Sequence, residues 1–68
     1  MNKDYTIQDL SKILVEFGKK KHGSDYAYPH ALGTIVGLTD FYLANFPDRL
    51  QNAINERYEM TQRELAAL

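Results

Sequence analysis

The sequence predicts an all-α protein, a compact domain of three helices with a central apolar helix 2 that self-associates. Three observations carry that reading. Apolar residues recur at helical spacing along three segments. The β-branched aliphatics Ile7, Ile13, Val15, Ile35, Val36 and Ile54 never alternate at period two, so no strand is signalled. Gly23, Pro29 and Pro47 punctuate the chain where helical segments would start or stop. Sixty-eight residues make one domain, 1–68, and a chain this short buries only about 60 % of its unfolded surface. With no cysteine it has no disulfide staple, so good helix packing or self-association must supply the difference.

Helix 1 is expected over about 6–22. Ile7, Leu10, Leu14 and Phe17 form its stripe, and Ile13 widens it. Thr6 with Asp9 three residues on reads as a capping box, the shorter Asp replacing the usual Glu. Lys19, Lys20 and Lys21 meet the negative end of the helix dipole, and Gly23 permits the left-handed turn that stops the helix.

Residues 23–28, GSDYAY, read as a loop, and Pro29 suits the first turn of helix 2, expected over 29–45. Leu32, Ile35, Val36, Leu43 and Phe46 fall on one broad side, and Ala31, Leu38, Phe41 and Tyr42 spread the apolar character further. A helix apolar on most sides belongs in the middle of a fold, covered by helices 1 and 3. Gly33, Gly37 and Ala44 then read as a close-packing stripe, because an interior glycine costs about 0.5–1 kcal/mol against alanine unless a neighbour approaches closely.

Pro47 restrains Phe46 from helical geometry and opens helix 3, expected over 47–67. Leu50, Ile54, Tyr58, Thr61, Leu65 and Leu68 form its stripe, with Arg49, Gln51, Asn52, Asn55, Glu56 and Glu59 on polar faces. It reads as an amphipathic surface helix.

The formal charge of −1 argues against general polyanion binding. Residues 1–30 hold five lysines against four acids and residues 31–68 three arginines against five, so neither half is a nucleic-acid arm. Met1 to Asp4 lacks a hydrophobic signal core and no apolar run reaches the roughly 18 residues of a membrane span, so the expected compartment is the cytoplasm. Two histidines without close spacing and no cysteine give no metal site, and no cofactor is implied. No Ser-His-Asp context, phosphate loop or paired-carboxylate motif appears, so the expected protein is not an enzyme.

Tyr26, Tyr28 and His30, with Thr34, Leu38, Phe41 and Tyr42 along helix 2, are the expected partner-binding residues, since tyrosines give rigid contact area with a polar tip. An alternative places an anion such as a nucleotide against Lys19, Lys20, Lys21 and His30, beside the free N–H groups of a helix start. A further alternative is DNA binding. MTQRELAAL, Met60 to Leu68, resembles the opening of a lambda-repressor-like helix-turn-helix, which implies Thr61 as a cap and Leu65 and Leu68 on the core. The turn and groove-reading helix of that family would follow Leu68, and the sequence holds no counterpart to them. Small, cysteine-free, near-neutral helical chains without a catalytic signature fit accessory or inhibitory factors, including those of phages and mobile elements. The expected function is therefore binding of another protein as a homo-oligomer, without chemistry.

Overall fold

The computed structural model describes residues 4–68; Met1–Lys3, part of the segment read as lacking a signal core, lie outside the described residues. Within the described residues the chain is all-α: α1 (Ile7–Lys21), α2 (Ser24–Asn45), a single 3₁₀ turn over Pro47–Arg49, and α3 (Leu50–Ala67). None of these helices is long and apolar enough to cross a membrane.

The ends of α1 form as its sequence dictates. The Thr6 side chain accepts from the Asp9 N–H at 3.0 Å, and the Asp9 carboxylate accepts from the Thr6 N–H at 2.9 Å, which closes the capping box. At the other end the N–H groups of His22 and Gly23 both donate to the Gly18 carbonyl, with Gly23 at a φ of 103°.

The central helix is α1, a correction to the expected place of helix 2. It packs along both other helices, whereas α2 and α3 touch sparingly. Leu10, Ile13 and Leu14 fill the core with Ala31 and Ile54. Fully burying Leu10 and Leu14 contributes about 1.5–3 kcal/mol each. The close crossing also lies elsewhere than expected. A Cβ on Gly18 would stand 3.0 Å from the Ala27 Cα, while one on Gly33 or Gly37 would meet nothing within 4 Å, and Ala44 is exposed. Gly18 and Ala27 are what let α1 and α2 approach; the Gly33, Gly37 and Ala44 stripe is uncovered by the rest of the chain.

Helix α2 starts at Ser24, five residues before Pro29. The GSDYAY segment is thus mostly helical, because Ala27 and Ala31 must face α1 to seal the crossing. Pro29 sits inside the helix and cannot donate to the Asp25 carbonyl. Of the expected apolar side, Ile35 packs on the core while Leu32, Val36, Leu43 and Phe46 are exposed.

Phe46 leaves helical geometry at φ −143°, Pro47 opens the 3₁₀ turn, and α3 then runs unbroken to Ala67. Ile54 and Thr61 are buried and Leu50, Tyr58 and Leu65 half-buried, but Leu68 is exposed. Thr61 caps nothing: its hydroxyl donates to the Arg57 carbonyl at 2.8 Å from within the helix. The helix start that the helix-turn-helix resemblance requires at Thr61 does not exist. Polar Gln51 and Asn55 hold the segment before α1: Asn55 Oδ1 accepts from the Tyr5 N–H at 2.9 Å, Gln51 Nε2 donates to the Tyr5 carbonyl at 2.8 Å, and the Tyr5 ring stacks on Tyr58 at 3.8 Å.

Candidate functional site

Helices α2 and α3 touch sparingly, and beside the turn that joins them they leave a groove. Leu38, Phe41, Tyr42 and Phe46 line it from the C-terminal half of α2 and its exit. Ala53, Glu56, Arg57 and Met60 line it from α3, with Arg49 at its mouth. It consists of a hollow of about 490 Å³ and an adjoining one of about 200 Å³, which share Tyr42, Ala53 and Glu56.

The aromatic wall is ordered by its own contacts. Phe41 and Tyr42 meet edge to face at 5.2 Å, Phe41 and Phe46 lie 6.2 Å apart, and the Arg49 guanidinium covers the Phe46 ring at 5.6 Å. The opposite wall carries a polar demand. Arg57 Nε is buried without a hydrogen-bond acceptor, the kind of donor that costs free energy until something meets it.

The expected contact residues do not gather in one place. Leu38, Phe41 and Tyr42 come together in the groove. Tyr26 and His30 stack at 5.0 Å, with His22 4.6 Å from Tyr26, as a short ring ladder near the start of α2. Tyr28 lies apart from both, under the Lys19 ammonium at 5.3 Å, and Thr34 is half-buried.

The anion set is not gathered. Lys19 lies over Tyr28, Lys21 over Phe17, and His30 against Tyr26, while Lys20 lines a surface hollow with Glu16, Lys19 and Leu65. His30 is also the seventh residue of α2, a turn beyond the free N–H groups at its start. Among the described residues no cluster of three His, Cys, Asp or Glu side chains could hold a metal ion.

Sequence reasoning missed Phe46, Arg49, Glu56, Arg57 and Met60 as groove residues. A signal existed: Ala53 and Met60, one heptad apart, form a second apolar line beside the main stripe of α3. Comparison of the chain with protein-family models, with curated proteins and with solved structures finds no match.

Proposed function

We propose that this chain is a non-catalytic helical protein that binds another protein in the groove between α2 and α3, as an accessory or inhibitory factor of the cytoplasm, and that it works self-associated. The observation that carries the reading is the groove itself, an aromatic wall facing an arginine whose buried Nε lacks an acceptor. Such a wedge suits an amphipathic helix that inserts an apolar side chain beside Phe41 and Tyr42 and offers a carboxylate or carbonyl to Arg57. Aromatic and arginine side chains dominate the energetics of contacts of this kind.

The test is capture from lysate with wild type beside Phe41→Ala and Tyr42→Ala. Wild type should retain a defined protein that both variants lose, with helical circular dichroism unchanged. Retention by both variants, or a thermal shift with nucleotides in place of any protein partner, contradicts the reading.

A further inference from the structure

We infer that the outer face of α2 binds a second copy of this chain, antiparallel, about a two-fold axis level with Ile35. The inference rests on the self-association named above and specifies its surface and register.

At 3.6 residues per turn, Tyr26, Gly33, Gly37 and Ala44 fall on one line of α2, with His30 on one flank and Asp40 on the other. Tyr26, Gly33, Gly37, Asp40 and Ala44 are all exposed, and no other element packs on the glycines. The face is complementary to itself. Tyr26 and Ala44 lie nine residues either side of Ile35, His30 and Asp40 five, and Gly33 and Gly37 two. An antiparallel copy therefore sets the Tyr26 ring over the partner's Ala44, the Gly33 backbone against the partner's Gly37, and the His30 ring beside the partner's Asp40.

Each pairing has its own physical reason. The Tyr26 ring, stiffened by its stack on His30, needs a small residue opposite. Glycines at the crossing let the backbones approach. Asp40, a lone carboxylate on an otherwise uncharged line, gains an imidazole N–H donor from across the axis. A parallel copy would instead place Asp40 beside Asp40 and Tyr26 against Tyr26, opposing like charges and like bulk.

The area sets the class of interface. From Tyr26 to Ala44 the face is about 27 Å long and covers on the order of 500 Å² per copy. That is the low end of specific interfaces. The pair is accordingly of the weak, concentration-dependent kind, and the mass should rise with concentration from 7.8 kDa towards twice that value.

The cysteine-free chain allows a register test. The Tyr26→Cys and Ala44→Cys variants, mixed and oxidised, should form a disulfide-linked pair, while Ala44→Cys alone should not. Light scattering gives the second readout. Asp40→His should weaken the dimer at least tenfold, and His30→Asp combined with Asp40→His should restore it. Self-linking of Ala44→Cys, a wild type of 7.8 kDa at every concentration, or a dimer indifferent to Asp40→His would overturn the inference. A monomer that still captures its partner through Phe41 and Tyr42 would overturn this face alone and leave the groove reading standing.

Discussion

Helices α1 and α2 differ in how they use apolar residues. The first has one stripe and buries it: Leu10, Ile13 and Leu14 are nearly inaccessible. The second is richer in large apolar side chains, yet its buried residues are Ala27 and Ala31, while Leu32 stays 65 % and Leu43 59 % exposed. Hydrophobicity alone did not decide which helix became central. A one-sided stripe specifies a face, and Gly18 on that side admits α2 so closely that the Ala27 backbone fills the place a Cβ would take. The bulk of α2 is thereby turned away from α1, part of it into the groove, and the surface it leaves uncovered is where contacts with other molecules are to be sought.

The contrast breaks most sharply at leucine. Leu14→Ala should cost about 2–5 kcal/mol, much of the roughly 3–10 kcal/mol a chain of this length has in all. Leu32→Ala should stay within about 0.5 kcal/mol in the dilute protein. Thermal melts followed by circular dichroism separate the two. Next comes Gly18→Val, expected to lose about 1–3 kcal/mol because the Ala27 backbone cannot give way. In chemical denaturation it should shift the midpoint down. A smaller effect is expected at the start of α1, where Thr6→Ala removes one half of the capping box and about 1 kcal/mol. Opposite in sign, and no larger than the loss at Thr6, Gly33→Ala should stabilise the dilute chain by about 0.5–1 kcal/mol, since a methyl group there meets nothing. A loss at Gly33 under dilution would mean that α2 is covered after all.

Much of this architecture was legible in the residues. The cap at Thr6, the stop at Gly23 and the break at Phe46 are local devices, fixed by side chains within a few positions, and so they read directly from the chain. The start of α2 was not. Ser24, Asp25 and Pro29 look like a turn, and only the packing of Ala27 against Gly18 makes that stretch helical. The central place of α1 was equally hidden, because a wheel records which sides of α2 are apolar and not which side its neighbours reach. Of the groove, Leu38, Phe41 and Tyr42 could be named from their bulk. Arg57 could not, since its buried Nε depends on how α3 lies across the molecule. Gln51 and Asn55 looked like solvated polar positions; their hold on Tyr5 joins residues some 50 positions apart, beyond any local pattern.

The order of burial is tested most directly by residue-resolved hydrogen exchange on the wild-type chain, at concentrations well below those expected for the proposed dimer. The slowest amides should lie in α1 between Leu10 and Gly18 and open only with global unfolding, while those of α2 beyond Leu32 exchange faster. Slowest exchange between Leu32 and Leu43, with α1 opening first, would contradict the account.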